Sequence, residues 1–382
     1  MERGRYDVIV AGLGASGSST LYHLATRGCR VLGLDRHGIP NEASSYHGVT
    51  RIIRLCYYES PVYVPLLQRA YENWRALEHA CGRHLLHITG SIDAGPTDGW
   101  VFPGSLRSCQ EHGLEHEVLT AASLQHRFPG YRLPDDMMAV LQPQGGFLVA
   151  EQCVVSYVEQ ALQRGAEVRG CERVVEWMPH ASGITVRTDR ATYEAEQLIV
   201  TSGAWIADLL PLLRPYVQTE RQVLGWFQPA RPALFLPDRF PVFNMETRDG
   251  RYYGTPVFGV PGFKVGRYHH LGQVDHPDQI DRGVYAEDEE VLRFFIREHF
   301  PDADGPVLSM KVCIFTNTPD GHFIIGRYPE AEPIIFASPC SGHGFKFASV
   351  IGEILADLAT GGDTRKWPLD FFGLERFGRT TP

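Results

Sequence analysis

A short apolar run, a glycine-rich turn and an amphipathic helix open the chain, and this arrangement constrains the fold more than anything after it. Gly12, Gly14 and Gly17 spell GxGxxG. The triplet lies between a predicted strand over residues 6–10 and a predicted helix over 15–27, where apolar residues recur at helical spacing. Gly28 stops that helix, and residues 30–35 (RVLGLD) read as the next strand, completing a βαβ unit. With 39 glycines in 382 residues, composition alone yields roughly 0.4 such triplets by chance, so the spacing means little without its context. Here the context is complete. The glycines permit a tight turn and close backbone approach, the helix start faces a pyrophosphate, and Asp35 closes the second strand as a carboxylate for ribose hydroxyls. The pattern predicts a dinucleotide site without separating FAD from NAD.

Two later regions repeat the logic. Residues 151–164 read as a helix ended by Gly165, with a strand resuming at 166–169 and further short strands leading to LIVTSGAW, which turns into a helix near Trp205. Residues 333–337 read as a strand, followed by a glycine-rich turn and a last helix whose apolar face includes Phe347, Val350, Ile351, Ile354, Leu355 and Leu358, stopped by Gly361 and Gly362. Residues 86–149 and 216–310 differ, being rich in Pro, aromatics and short alternating runs. The predicted architecture is α/β (α+β overall): a doubly wound Rossmann-type domain from residues 1–85, 150–215 and 311–382, with an inserted mixed or antiparallel sheet domain from 86–149 and 216–310.

Composition removes other classes. The formal net charge is -9 with no long Lys/Arg run, which argues against a nucleic-acid partner. No stretch is apolar for long enough to span a membrane, and the first residues lead straight into a strand without a signal peptide. The eight cysteines are scattered without a CxxC pair, the usage expected in a reducing, cytoplasmic setting. No zinc-type Cys/His spacing and no GxSxG elbow occur, so neither a metal nor a serine-hydrolase site is expected.

The remaining candidates are cations in unusual company. In SSYHGVTRIIR, Arg51 and Arg54 are three apart, which on a helix would put them on one face, with His47 just upstream. An arginine pair beside a flavin could hold a carboxylate and stabilise negative charge. Lys346 lies in SGHGFKF between Phe345 and Phe347, and Lys264 in the apolar, glycine-flanked run GFKVG. A lone Lys is more often a solvated surface group, and Cys313 in KVCIFTNTPDGHFIIG could as well be a core cysteine.

Taken together, DVIVAGLGASG, HGVTRIIR, YVPLLQRAYENW, TSGAW, RYYGTP, GFKVG, the KVC strand, DGHFIIG and SGHGFKFASVIGE resemble, in order and over nearly the whole chain, the monomeric sarcosine oxidase and N-methyltryptophan oxidase family of flavoenzymes. The resemblance implies FAD between a doubly wound domain and an inserted sheet domain. It implies covalent attachment of the flavin through Cys313, a carboxylate clamp of Arg54 and Lys346, and oxygen activation by Lys264. Arg51 and His47 would line the flavin, with Tyr253 as an active-site phenol. Arg36, Ser44, Val174, Gly342, His343 and Gly344 would be further cofactor contacts. Small-molecule amino acid and oxygen would be the partners of a monomeric enzyme.

Several positions depart from the family pattern. Phe315 stands where sarcosine oxidase has a tyrosine, Tyr46 replaces a histidine, and Val49 replaces an aspartate. Asn244 and Cys340 replace apolar residues. The loop after Lys264 is one residue longer, leaving Tyr268, His269 and His270 as alternatives for one active-site position. These changes fall on the substrate side, with Asn244 and Phe315 as expected substrate contacts, and point to a bulkier N-methyl or cyclic amino acid rather than sarcosine. Two competing readings are a flavin dehydrogenase with another electron acceptor, and a non-catalytic dinucleotide-binding protein. The second would have no use for Arg54, Lys264 and Lys346 together.

Overall fold

The computed structural model describes residues 5–378. The βαβ opening forms as expected: strand Tyr6–Ala11, helix Ala15–Thr26 and strand Val31–Leu34. These strands belong to an eight-stranded sheet. Five of them run parallel, in the order Glu167–Arg169, Val31–Leu34, Tyr6–Ala11, Thr192–Val200, Ile334–Ser338. Both faces are covered, which is why the strands read as continuous apolar runs. Val8 and Val10 pack into a cluster with the helices Ala15–Thr26, Val64–Cys81, Ala150–Leu162 and Ala348–Thr360. Ile9 and Ala11 point the other way, toward the antiparallel strands Val174–His180 and Gly183–Thr188 and the short helical turns after Trp205.

A second eight-stranded sheet is antiparallel except for one parallel pair, Ser91–Pro96 beside Val242–Thr247. Its far strand is Val307–Asn317, paired along its length with Gln218–Phe227. The domain boundary expected at residue 311 therefore falls inside a strand of this sheet. Cross-strand pairing, which sequence cannot display, assigns Cys313 to the inserted sheet rather than to the nucleotide-binding part.

The segment around Arg51 is also not helical. Thr50–Ile53 is a strand in a small three-stranded sheet with Gly146–Val149 and Leu86–Ile88. β-Branched Thr50, Ile52 and Ile53 favour extended backbone, and the helical face proposed for Arg51 and Arg54 does not exist. Among the described residues no helix is long and apolar enough to cross a membrane.

Candidate active site

A cavity of about 470 Å3 lies where the three sheets meet. One end is the nucleotide fingerprint. Gly12 has φ +98°, and a Cβ there would come 2.6 Å from the Thr201 carbonyl oxygen. A Cβ on Gly17 would sit 1.8 Å from the Gly12 carbonyl oxygen, so Gly17 serves turn-to-helix packing and does not itself line the cavity. Gly14 does line it, and a Cβ there would meet nothing nearer than the Tyr46 ring at 3.8 Å. The protein alone does not demand glycine at that position; a ligand lying against the turn does. Asp35 accepts the Leu13 and His37 amides at 2.7 and 2.8 Å, one on each carboxylate oxygen, and each oxygen keeps a lone pair for a ribose hydroxyl. Arg36, Ser44 and Val174 line the same end. The residues fit an extended dinucleotide.

The other end is built by the face of the second sheet. Asn244, Tyr253 and Gly266 form one cross-strand row, and Thr255 and Lys264 the next. A Cβ on Gly266 would collide with the Tyr253 hydroxyl at 2.5 Å. Lys264 is 3% exposed, and its Nζ donates to the carbonyls of Gly48 and Thr50, both at 2.7 Å, and to Thr50 Oγ1 at 3.2 Å. Burial and the Arg51 charge push its pKa well below that of free lysine. Three acceptors for three ammonium hydrogens oppose that shift. The receiving turn is itself held by Glu151, whose carboxylate accepts the Gly48 and Val49 amides at 2.7 and 3.1 Å. Val49 adopts a positive φ of 69° there.

Cys313 is buried, with Sγ 3.4 Å from the Ser45 carbonyl oxygen and 3.6 Å from Arg51 Nη2. Burial by itself would raise the thiol pKa. His47 and Arg51 outweigh it and bring the thiol down to about 6. A thiol lowered in this way ionises more readily, and is therefore more nucleophilic, than an ordinary buried core cysteine. His47 does not line the cavity as expected; it is 2% exposed behind it. Neither of its ring nitrogens has a partner in hydrogen-bonding geometry, so its effect on the thiol is by proximity. Cys340 lines the cavity, and burial raises its pKa.

Arg54 and Lys346 are both brought to the cavity, flanking the Tyr57 ring at 4.5 and 5.3 Å. Arg54 is not an isolated cation. Arg54 pairs with Glu59 at 2.9 Å and with Asp93 at 3.5 Å, all three buried. Burial would push Glu59 up, but Arg54, helped by His343 and Lys346, holds it down to about 2. Asp93 stays above the usual carboxylate range because burial wins over Arg54. Lys346 has no carboxylate partner within ion-pair distance among the described residues; its Nζ donates to the His343 carbonyl at 2.8 Å. Burial first, then Arg54, lower it to about 7.

Asn244 is oriented by its neighbours: its amide nitrogen donates to Asp93 Oδ1 at 2.9 Å, and its Oδ1 accepts from the Tyr58 hydroxyl at 3.5 Å, keeping one lone pair for a further donor. His343 is kept neutral, its pKa lowered to about 3 by burial. Nε2 therefore donates to the Gly321 carbonyl at 2.9 Å, and Nδ1 accepts from Tyr57 at 2.5 Å. Gly342 and Gly344 are required by space: a Cβ would meet the Phe315 ring at 2.6 Å and the Pro339 carbonyl oxygen at 1.5 Å. Phe315 and Tyr268 line the cavity. His269 instead contacts Glu220 at 2.8 Å and His270 contacts Asp288 at 2.9 Å, so of the three alternatives Tyr268 is the one that lines the cavity.

Glu59, Asp93 and Glu151 were not picked out from sequence. Each had a signal: Glu59 follows a buried CYY run, Asp93 interrupts an apolar strand, and Glu151 opens a helix. A carboxylate in such positions needs a cation or amide partner.

The model of the FAD-dependent oxidoreductase family matches residues 7–358. The chain is 38% identical over 376 residues to a monomeric sarcosine oxidase of Streptomyces avermitilis, covering 97% of each. It is 35% identical over 377 residues to an N-methyl-L-tryptophan oxidase of Yersinia pestis, covering 97% of this chain and 99% of the relative. The solved structure of NikD, an unusual amino acid oxidase essential for nikkomycin biosynthesis, superposes with a TM-score of 0.82 at 29% identity, over 93% of this chain and 94% of that one. With a fingerprint that fits a dinucleotide and cations gathered at its far end, the chain belongs to the FAD-dependent oxidoreductase family, within the group of monomeric sarcosine oxidase and N-methyl-L-tryptophan oxidase.

Proposed function

We propose that the protein is a monomeric, cytoplasmic oxidase of secondary amino acids that carries FAD covalently on Cys313. The observation that carries this reading is that one cavity is lined at once by the fingerprint, Cys313 with Arg51, Lys264, Tyr253, Asn244, Arg54 and Lys346. When bound, FAD supplies the two-electron acceptor. The amine loses two electrons and two protons to become an imine, oxygen takes both to become hydrogen peroxide, and an acyclic imine is hydrolysed to a carbonyl compound and an amine. Arg54 and Lys346 hold the α-carboxylate, and Asn244 Oδ1 offers the amine an acceptor. Arg51 and Lys264 disfavour an ammonium nearby and so keep the substrate nitrogen neutral. The relatives named for sarcosine and N-methyl-L-tryptophan support an N-methyl substrate, and the aromatic walls Phe315 and Tyr268 favour one bulkier than sarcosine.

The purified protein should be yellow and should produce peroxide from a panel of N-methyl and cyclic amino acids under oxygen-consumption readout. A colourless protein that binds NAD would end this reading. Amines lacking the carboxylate, turned over as efficiently as the matching amino acids, would end the clamp.

Attachment is tested separately. After acid precipitation the colour should stay with the protein, and in Cys313→Ser it should wash out. Colour released from the unmutated protein would remove the covalent bond.

Lys346 gives a pH signature. With a pKa of about 7 in the free site, it is charged below that value and neutral above it. An anion favours the charged form, so binding above pH 7 must draw in a proton. The Kd of a simple carboxylate such as acetate should weaken by about tenfold per pH unit above 7. Calorimetry in buffers of different ionisation heat should record close to one proton taken up. A pH-independent Kd across that range would show that Lys346 does not meet the anion.

A further inference from the structure

The strand that presents Thr255 and Tyr253 to the cavity carries Arg251 one step further along the same face. Its guanidinium carbon lies 3.6 Å from the centre of the Tyr268 ring, 4.6 Å from Trp100 and 5.4 Å from Tyr58. Tyr268 lines the cavity, whereas Trp100 is 47% exposed. Arg251 itself does not line the cavity; it packs against Tyr268, which does, and against Trp100 on the side of solvent. Among the described residues no carboxylate lies within ion-pair distance of it, and its Nη1 is buried without a hydrogen-bond partner. The acidic residue opposite it on the neighbouring strand, Glu246, is already used, accepting the amides of Trp100 and Val101 at 2.6 and 2.8 Å.

A buried donor left unpaired is destabilising, more so when charged. The three rings offset part of the charge but cannot accept along the guanidinium edge. That edge matches a carboxylate, which accepts two parallel N–H groups at once. Arg54 differs, because Glu59 and Asp93 already compensate it. The guanidinium carbons of Arg54 and Arg251 lie 4.1 and 5.4 Å from the same Tyr58 ring, so anionic groups a few bonds apart on one small molecule can reach both regions.

We propose that Arg251 recognises a second anionic group, and that the preferred substrates are N-alkyl amino acids bearing a side-chain carboxylate. The α-carboxylate lies toward Arg54 and Lys346, and the side-chain carboxylate docks in the box formed by Arg251, Tyr58, Tyr268 and Trp100. This deepens the proposed function and rests on its reading of the substrate as an amino acid.

The test compares kcat/KM of the holoenzyme for N-methylaspartate and N-methylglutamate with values for sarcosine and N-methylalanine, in the parent, Arg251→Met and Arg251→Gln. The parent should favour a dicarboxylate. Both variants should lose that preference by roughly 10–100-fold, the size of a lost charge-assisted hydrogen bond, mainly through KM. A parent that prefers neutral side chains, or variants that lose equally on every substrate, would overturn the proposal while leaving an amino-acid oxidase in place. A second readout is independent of turnover. Succinate should raise the melting temperature of the parent more than acetate does, and the difference should vanish in both variants. If no amino acid is oxidised, the proposed function fails and the melting data alone decide Arg251: a lost succinate effect supports it, an unchanged one overturns it.

Discussion

Replacing Lys264 with methionine should slow the oxygen half-reaction by about three powers of ten while slowing anaerobic reduction by substrate far less. Superoxide, the first product of electron transfer to oxygen, is an anion formed in a partly dry site. A cation about 4 Å away stabilises it by roughly 4 kcal/mol at an effective dielectric near 20, which converts to that factor in rate. Lys264 suits this task because its ammonium is surrounded by two carbonyls and a hydroxyl rather than a carboxylate. A paired carboxylate would cancel the field. Burial and Arg51 weaken the ammonium, so the oxygen step should itself slow as pH rises through the Lys264 pKa. Stopped-flow traces of the two half-reactions separate these effects. Equal slowing of both would move Lys264 into substrate binding.

Arg54→Ala should have the second large effect, and it should appear in two measurements. Removing the guanidinium strands Glu59 and Asp93, buried and uncompensated, at a cost of about 3–5 kcal/mol of stability. Chemical denaturation would read this directly. The lost hydrogen bonds to the substrate carboxylate, each about 1.5–3 kcal/mol when charge-assisted, should lower kcat/KM by about two powers of ten or more. Adding Glu59→Gln to Arg54→Met separates the two roles, because the double variant should regain stability without regaining turnover. Recovery of both would make Arg54 purely structural. The Glu59 contribution has a defined pH window. Its folded pKa of about 2 lies below the ordinary 4.5. Its stabilisation is therefore fully present above about pH 4.5 and is lost as pH falls toward 2.

The nucleotide end of the site was legible because its determinants are local. Gly12, Gly14 and Asp35 sit at spacings that one turn and one strand impose, and their roles follow from backbone geometry. The substrate end was not legible in the same way. Arg51 and Arg54 stood out by charge, but their three-residue interval suggested a helix where the chain is extended, since nothing in an eleven-residue window reveals a pairing partner at Gly146–Val149. The partners of Arg54 were missed: Glu59, five positions on, carries no pattern that marks it as one, and Asp93 lies 39 positions away, on another sheet. Arg251 drew no attention, because an arginine on a strand is ordinary until its neighbours are known. Cys313 was placed correctly on a strand but in the wrong domain, for the same reason. Charge and spacing identify which residues are unusual; cross-strand register decides what each of them faces.

The meeting of three sheets at one cavity ties ligand occupancy to the melting of the whole protein. No contiguous stretch of chain holds the site: the fingerprint, Arg51 and Cys313 come from three different sheets. Whatever fills the cavity touches all three, and its binding free energy is withheld from any form in which one of them has come apart. For a freely dissociating ligand that stabilisation follows its concentration and fades on dilution. A bond at Cys313 removes the dependence, since the ligand can no longer leave for bulk solution. Cys313→Ser should therefore restore a melting temperature that climbs with added FAD, where the parent shows a flat line.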